Sequence, residues 1–199
     1  AGSVEQPTGE YQLDRTPSPT VETAVPADEL RDLNEELLSA PEGFTVHPKL
    51  VKQLEKKREA VGDEGGIDWS QGEALAFASL LVDGVPIRMT GQDVERGTFS
   101  QRHMVLHDAK TGQTFSPIQH LAGAQAPMEL HNSPLSETAC LGFEFGYSQE
   151  APEVLVLWEA QFGDFANGAQ VIIDQFIASG LAKWGQSSRL TLLLPHGYE

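Results

Sequence analysis

Two phenylalanines three residues apart, Phe162 and Phe165, stand in a segment that also contains a glycine and an aspartate. The apolar run 154–157 before them predicts a buried strand, and the periodic apolar residues of 171–177 predict a helix after them. Ligands of open α/β sheets bind at the carboxyl ends of the strands, so this loop is placed to hold a flat ligand. Aromatic residues beside a strand are more often core residues, but a core segment rarely includes a glycine and a polar residue.

Glu137 is the candidate for acid–base chemistry. It follows Ser136 at the start of a predicted helix, among apolar neighbours, where a carboxyl group can donate or accept a proton. An acid in the first turn can also simply stabilise the helix through its dipole, by about 0.3–1 kcal/mol, and the spacing alone favours this alternative. Glu144 is a rival because Phe143 and Phe145 flank it, although a structural ion pair with an arginine is the better explanation of that position.

Four further polar residues lie where the predicted strands end. Asp93 follows the first core strand, although a Gly-x-Asp sequence after a strand is commonly only a turn. Residues 101–103 place an arginine and His103 where an anionic substrate can arrive, and His196 follows the last strand, on the ligand side of the sheet. Gln161 is either a polar neighbour of a ligand or a partner of loop backbone. The histidines lack the cysteine or acid spacing of a zinc site, so no metal site is predicted.

The elements that must position these residues follow from the apolar pattern. Apolar strands that alternate with helices predict an α/β fold with a mainly parallel sheet, helices on both faces and a short hairpin insertion. The predicted helices cover 28–38, 48–61, 68–81 and 167–180, and one more has Ser133 as its cap and Pro134 in its first turn. The predicted strands cover 85–89, 154–158 and 189–194. The predicted hairpin pairs 104–107 with 114–115. Asp28 and Asp68 are predicted helix caps, and Trp69 is predicted to be buried.

The composition of the chain predicts three parts. Residues 1–25, with prolines among Gly, Ser, Thr and Glu, predict a flexible linker. Residues 26–65 predict a helical lead-in segment, and residues 66–199 predict one α/β domain. The lysines and arginine of 52–58 are best explained as the solvated face of the second lead-in helix.

Charge and hydropathy exclude several classes of partner. The formal net charge of −16 argues against nucleic acid, because nothing would neutralise the phosphates. No apolar run approaches the ~20 residues that cross a bilayer, so no membrane association is predicted. The single cysteine, Cys140, cannot form a disulfide within the chain and is predicted to be a small buried apolar residue, which suits a reducing compartment.

Four ordered segments of the chain resemble one family. The family is the thiamine-diphosphate-dependent decarboxylating component of 2-oxoglutarate dehydrogenase, in its transketolase-like pyrimidine-binding domain. The segments that carry the resemblance are 91–103, 135–137, 158–170 and 194–199.

The resemblance implies a role for most of the candidate residues. Glu137 would bond the aminopyrimidine ring nitrogen of thiamine diphosphate and supply its proton, which reverses the preference for a helix-dipole role. The cofactor would be bound by Phe165 and Phe162, whose rings sandwich the aminopyrimidine, with Gln161 as a polar neighbour and Asp93 as an acid near the thiazolium. His196 would begin a longer motif whose second histidine faces the substrate, while the place of His103 near an anionic substrate rests on residues 101–103 alone.

The resemblance also implies an activity and its partners. The full enzyme would decarboxylate 2-oxoglutarate oxidatively in the citric acid cycle and pass the succinyl group to a lipoyl group of the succinyltransferase component. It would be a homodimer in the bacterial cytoplasm or mitochondrial matrix. Mg²⁺ and the diphosphate would be bound by a separate upstream domain with a Gly-Asp-Gly motif, which this sequence lacks. The chain is therefore expected to be one domain, truncated at its C-terminal side and inactive alone.

Two alternatives stay open at this point. A paralogue that prefers 2-oxoadipate would share these segments, because residues outside them read substrate length. A non-catalytic assembly or regulatory module can also use the same scaffold, since a fold does not fix a function. The joint presence of Glu137, Phe162 and Phe165 argues against the second alternative, because a purely structural module does not need that acid.

Overall fold

The computed structural model describes residues 20–62 and 65–197. In chain order its elements are the helices α1 (Ala27–Leu37), α2 (Pro48–Ala60) and α3 (Trp69–Val82); strand β1 (Ile87–Gly91); the short strands β2 (Leu106–His107) and β3 (Thr114–Phe115); a 3₁₀ turn (Pro117–His120); strand β4 (Met128–Asn132); helix α4 (Glu137–Glu150); strand β5 (Leu155–Glu159); a 3₁₀ segment (Gly163–Ala169) that continues through α5 (Gln170–Ile172) into a π-helical turn (Ile173–Ile177); helix α6 (Gly180–Trp184); and strand β6 (Thr191–Leu193).

Four parallel strands form the central sheet in the order β4-β1-β5-β6. Parallel neighbours need crossover connections, and α4 lies in the connection from β4 to β5. In the sheet register Gly91 lies between Asn132 of β4 and Glu159 of β5, so these three residues mark the carboxyl edge. Gly91 must lack a side chain, because a Cβ there would overlap the carbonyl oxygen of Glu159. The predicted α/β fold with a mainly parallel sheet is confirmed.

Helices cover both faces of this sheet. On one face α1 and α3 pack over β1, with Leu33, Leu81 and Met89 in a shared core. On the other face α4 packs over β5 through Leu141 and Trp158. Because both faces are covered, the strand ends and the loops that follow them remain as the place where a ligand can reach the sheet.

The lead-in helices are joined to the domain by polar contacts as well as by the core. Lys57 of α2 is half-buried, and its Nζ donates to Ser70 Oγ at 2.9 Å and to the carbonyl of Gln101 at 3.0 Å. The prediction that this lysine belongs to a solvated face is therefore wrong, because α2 turns it toward α3 and the loop after β1. Asp28 is not a cap either: it lies in the first turn of α1, whose N-cap is Pro26.

Strand predictions failed where apolar residues were few or where proline intervened. Strand β4 was not predicted, because the polar residues Glu129 and His131 interrupt this short edge strand. β1 begins at Ile87, two residues later than predicted, since Pro86 has no N–H to donate to a neighbouring strand. The hairpin prediction is confirmed, with β2 and β3 paired antiparallel.

Three helix predictions need correction, and one is confirmed. The cap of α4 is Ser136, whose Oγ accepts from the N–H of Ala139 at 3.4 Å, whereas Ser133 lies before the helix and accepts from the N–H of residue 135. The helix predicted over 167–180 is interrupted by 3₁₀ and π-helical turns. Trp69 is 92% exposed because it begins α3 on its outer side. Asp68 does cap α3, by accepting from the N–H of residue 71 at 2.8 Å.

Two further sequence predictions concern the N-terminal linker and helices that could span a membrane. The predicted linker 1–25 lies outside the described residues up to position 19, and residues 20–26 have no regular secondary structure. In the part of the chain that the structure describes, no helix combines the length and the apolar character needed to span a bilayer.

Candidate functional site

Three phenylalanines form an exposed aromatic cluster beside the carboxyl edge of the sheet. The ring of Phe162 packs edge-to-face against Phe99 and against Phe165, with 5.5 Å between ring centroids in each pair. The exposed fractions of Phe99, Phe162 and Phe165 are 43%, 39% and 42%. Contiguous exposed apolar surface of this kind marks a contact with a ligand or a partner. Phe99 therefore extends the predicted loop pair. It lies in the segment 91–103 that carries the resemblance, but nothing in that segment indicates that its ring meets Phe162.

A small acid cleft lies at the ends of β1 and β5. It is lined by Gly91, Gln92, Leu135, Glu137, Cys140, Trp158, Glu159 and Gln161. Its volume of about 10 Å³ is close to the space that one water molecule needs. The cleft brings together two predicted site residues, Glu137 and Gln161, and gives the carboxyl group a setting that is part apolar and part amide.

The position of Glu137 follows from local structure. It is the first residue of α4, directly after the cap Ser136, so the start of the helix fixes its place at the carboxyl edge. Its side chain is half-buried, and Gln92 Nε2 donates to its Oε1 at 3.1 Å. A Cβ on Gly168 would lie 3.4 Å from the other carboxyl oxygen, Oε2. The carboxyl group thus lies between the side-chain amide of Gln92 and the backbone of Gly168, which has no side chain.

The acid cleft and the aromatic cluster are joined by the segment after β5. Gln161 lines the cleft, and the next residue, Phe162, belongs to the cluster. Further along, Phe165 belongs to the cluster, and Gly168 lies against Glu137. The hydroxyl of Thr138 donates to the carbonyl of Gly168, which fixes this segment to α4. One edge of the sheet therefore presents a carboxyl group and exposed aromatic rings together.

His196 also lies at this edge, in the chain that follows β6. Its imidazole packs directly on Gly163, where a Cβ would overlap the ring. The N–H of Gly163 donates to the carbonyl of Pro195 at 2.8 Å, and a Cβ on Gly197 would lie 3.3 Å from the ring of Phe99. The structure thus places the predicted residue His196 beside the aromatic cluster.

Asp93 and His103 lie in the loop after β1. Asp93 Oδ2 accepts from Arg96 Nη2 at 2.5 Å, so this acid stabilises the turn at the strand end. His103 has a positive φ of 51°, and its Nε2 is buried without a hydrogen-bond partner among the residues that the structure describes. Burial lowers the pKa of the His103 imidazole, which favours its neutral form.

The arginine beside His103 is not available to an anionic substrate, contrary to the prediction. The side chain of Arg102 is 2% exposed and forms ion pairs with Glu159 and Glu73. Burial raises the pKa of the Glu159 carboxyl, and the Arg102 guanidinium opposes that shift. Because the guanidinium is already paired with two carboxylates of the chain, it has no N–H to offer a ligand.

The alternative acid, Glu144, has the structural role that the sequence predicted. It is fully buried and accepts from Arg88 Nε at 2.8 Å and from Arg88 Nη2 at 3.0 Å. Cys140 is also buried as predicted, and burial raises the pKa of its thiol. Of the two rival acids on α4, Glu137 is therefore the one that lies at the carboxyl edge. Within residues 20–62 and 65–197, no three His, Cys, Asp or Glu side chains are grouped so as to hold a metal ion.

Comparison with known proteins shows the family to which the chain is similar. The family described as "Transketolase, pyrimidine binding domain" matches residues 65–199. Proteins named "2-oxoglutarate dehydrogenase E1 component" from Geobacillus kaustophilus and Bacillus pumilus are 59% and 60% identical over 181 residues, and one from Bacillus cereus is 56% identical over 180 residues. These alignments cover 91%, 91% and 90% of the chain and 19% of each relative, so the chain spans about a fifth of their length. The resemblance stated from the four segments is confirmed.

Proposed function

Because the chain belongs to the family of transketolase pyrimidine-binding domains, we propose that it supplies the pyrimidine-binding part of a thiamine-diphosphate site in a 2-oxoglutarate dehydrogenase E1 component. One observation carries this proposal: the carboxyl group of Glu137 and the exposed rings of Phe162 and Phe165 lie on the same edge of the sheet. The relatives that are 56–60% identical to the chain over the 180–181 aligned residues bear the name of that enzyme component.

The residues present fit an aminopyrimidine ring. Such a ring is flat and apolar on its faces, which suits the aromatic cluster, and it carries a basic nitrogen, which suits a carboxyl group. Gln92 engages one oxygen of Glu137, and bare backbone at Gly168 adjoins the other. The acid cleft itself has room for about one water molecule. The ring would therefore lie at the mouth of the cleft, against the aromatic cluster.

Thiamine diphosphate supplies the carbanion chemistry of decarboxylation when it is bound. The task of this chain is to hold a proton at Glu137 and to orient the ring. Gln92 donates to Oε1 and so fixes the carboxyl plane, while the first turn of α4 fixes its position. The aromatic rings exclude water from one side of the site, which strengthens the hydrogen bond between the acid and the ring nitrogen.

The other predicted residues receive secondary roles in this proposal. Gln161, at the cleft, would bond a polar group of the ring, and Asp93 would present an acid on the side of the thiazolium. His196 and His103 would lie toward the substrate. The support for His196 is its contact with Gly163, which lies between Phe162 and Phe165 of the aromatic cluster. The support for His103 is its buried Nε2, which has no hydrogen-bond partner among the described residues.

The proposal extends to the complete enzyme. It would oxidatively decarboxylate 2-oxoglutarate and transfer the succinyl group to a lipoyl group of the succinyltransferase component, as a homodimer in the bacterial cytoplasm. Another domain would bind Mg²⁺ and the diphosphate. Residues 66–199 would form the pyrimidine-binding domain, 26–65 a helical lead-in segment and 1–25 a flexible linker. The two helices α1 and α2 and the Arg58–Glu35 ion pair between them support the lead-in segment.

Glu137→Gln in the complete polypeptide tests the proposal. Glutamine keeps the size of the side chain but cannot supply the proton, so we expect 2-oxoglutarate turnover to fall by a factor of ~10² to 10⁴. The matched control is Glu150→Gln, at the exposed end of the same helix, which should leave turnover unchanged. Near-normal turnover in Glu137→Gln would contradict the role of this acid.

Parallel assays separate the alternatives. Faster turnover of 2-oxoadipate than of 2-oxoglutarate by the unmodified enzyme would identify a paralogue with the longer substrate. Failure to bind thiamine diphosphate with Mg²⁺, together with no turnover of either acid, would identify a non-catalytic module.

A further inference from the structure

Arg102 is surrounded by acceptors in the interior of the protein. Its Nε donates to Glu73 Oε1 at 2.7 Å, and its Nη2 donates to Glu159 Oε1 at 2.6 Å and to Glu73 Oε2 at 3.3 Å. Its Nη1 donates to Glu159 Oε2 at 2.7 Å and to the carbonyl oxygen of Val94 at 3.2 Å. All five N–H groups of the guanidinium are therefore used, and lysine could not reproduce this pattern.

The partners of Arg102 belong to three separate parts of the chain. Glu73 is on α3, Val94 is in the loop after β1, and Glu159 is the last residue of β5. Phe162 follows Glu159 by three residues, while Phe99 precedes Arg102 by three and His103 follows it directly. The arginine thus connects the two loops that supply the aromatic cluster.

The backbone on both sides of Arg102 needs such a restraint. Ser100 and His103 have φ values of 54° and 51°, in the left-handed region that non-glycine residues rarely adopt. Backbone of this kind persists only where the surrounding structure holds it. The N–H groups of Arg102 and His103 both donate to the carbonyl of Arg96, so the loop folds back on itself.

We propose that Arg102 is a positioning residue, which holds the loop carrying Phe99 and His103 against the strand end from which Phe162 departs. The proposal rests on the proposed function for its consequence, because the aligned groups are those that would contact cofactor and substrate. Its structural half, the restraint on the loop, does not depend on that function. In this proposal Arg102 keeps the site residues in place and does not bind the carboxylate of the substrate.

The chain contains a matched control for this assignment. Arg88 and Glu144 form a second buried pair, with distances of 2.8 and 3.0 Å, and Glu144 is as inaccessible as Glu159. That pair joins β1 to α4, and the other side-chain hydrogen bonds of Arg88 lead to Glu129 and His131 of β4. Glu159→Gln and Glu144→Gln therefore remove the same kind of buried charge, and only the first releases the loop.

Hydrogen exchange of the cofactor-free complete polypeptide tests the restraint. In Glu159→Gln we expect the amides of 94–103 to exchange at least about tenfold faster than in the unmodified protein, while Glu144→Gln leaves them unchanged. Equal exchange of 94–103 in the two variants would overturn the proposal. If Glu159→Gln does not fold, Glu73→Gln takes its place, because the Glu73 side chain is 24% exposed and its removal is less disruptive.

Binding and kinetics then test the consequence. If the loop is correctly placed a tenth of the time, apparent affinity falls about tenfold, since only the competent fraction binds. We expect a roughly tenfold rise in KM for 2-oxoglutarate in Glu159→Gln, with a smaller change in kcat, and no such rise in Glu144→Gln. An unmodified protein that fails to bind thiamine diphosphate would refute the proposed function, whereas a normal KM in Glu159→Gln beside an active unmodified enzyme would refute the positioning role.

Discussion

Truncation of Phe165 distinguishes a ring that contacts cofactor from a ring that merely packs. Phe165 is 42% exposed, so more than half of its surface already contacts the protein. A phenylalanine ring can bury about 200 Å², which leaves about 80 Å² for a ligand to cover. At about 25 cal/mol per Å² this area is worth at most about 2 kcal/mol, and stacking of rings contributes about 0.5–1.5 kcal/mol.

We therefore expect Phe165→Ala to weaken thiamine-diphosphate binding by about 1–2 kcal/mol, which is about 5- to 30-fold in Kd. The loss of unfolding free energy should stay below the ~3–5 kcal/mol typical of a fully buried phenylalanine, because the ring is only partly buried. Thermal melts of the complete polypeptide, with and without thiamine diphosphate and Mg²⁺, measure both quantities. The variant should show a small fall in Tm without ligand and a clearly smaller rise when ligand is added.

Phe143→Ala provides the control for this experiment. Phe143 is 59% exposed on α4, where it packs against the guanidinium of Arg88 and not against the aromatic cluster. Its truncation should leave the ligand-induced rise in Tm unchanged. The reasoning about Phe165 fails if that rise is the same in Phe165→Ala as in the unmodified protein, particularly if the unfolding free energy falls by ~3–5 kcal/mol.

Two other perturbations address the acid and the hairpin. Gly168→Val would place methyl groups in the space beside Glu137 Oε2, and displacement of that carboxyl by about 1 Å should lower kcat by about 10²-fold. The control is Gly146→Val, which should leave kcat unchanged because a Cβ at Gly146 has open space. Equal kcat values in the two variants would refute the contact between Gly168 and Glu137. Asp108 accepts from the N–H groups of Thr45, Thr111 and Lys110, which lowers its pKa to about 2. The stabilisation that ionised Asp108 provides is thus present above pH ~4 and lost as the pH falls toward 2. The fall in Tm between pH 5 and pH 2 should therefore be smaller in Asp108→Asn than in the unmodified protein. An equal fall in the two proteins would contradict this role of Asp108.

The sequence predicted those parts of the fold whose signals are local. The apolar run before Trp158 identified a buried strand, and Asp68 identified the start of a helix, because a cap and a periodicity lie within a few residues of each other. β4 gave no such signal, since Glu129 and His131 alternate with only two apolar residues and their partner Arg88 is distant in sequence. Such an edge strand can be recognised only from its pairing with the neighbouring strand, which for β4 is β1.

The same distinction explains the site. Glu137, Phe162 and Phe165 could be named because each stands in a short pattern that matches a known family. Phe99 lies in the matching segment 91–103 as well, but its place in the aromatic cluster could not be predicted, because its contact with Phe162 joins residues 63 positions apart. The burial of Arg102 was also beyond prediction, since the ion pairs that bury it come from α3 and β5.

Close backbone packing determines where the site groups can stand. At Gly91 a side chain would overlap the carbonyl of Glu159, at Gly163 it would overlap His196, and at Gly168 it would approach Glu137. Each of these glycines lets a chemically active group or a strand end lie directly on the backbone of a neighbouring loop. Val94 and Ala166 anchor the two loops in the hydrophobic cores. The buried Arg102–Glu159 ion pair adds a polar contact at the point where the two loops leave the sheet, and the positioning role proposed for Arg102 rests on that contact. A variant can therefore keep the folded core and lose the alignment of the site, which is the outcome that hydrogen exchange and KM measure separately.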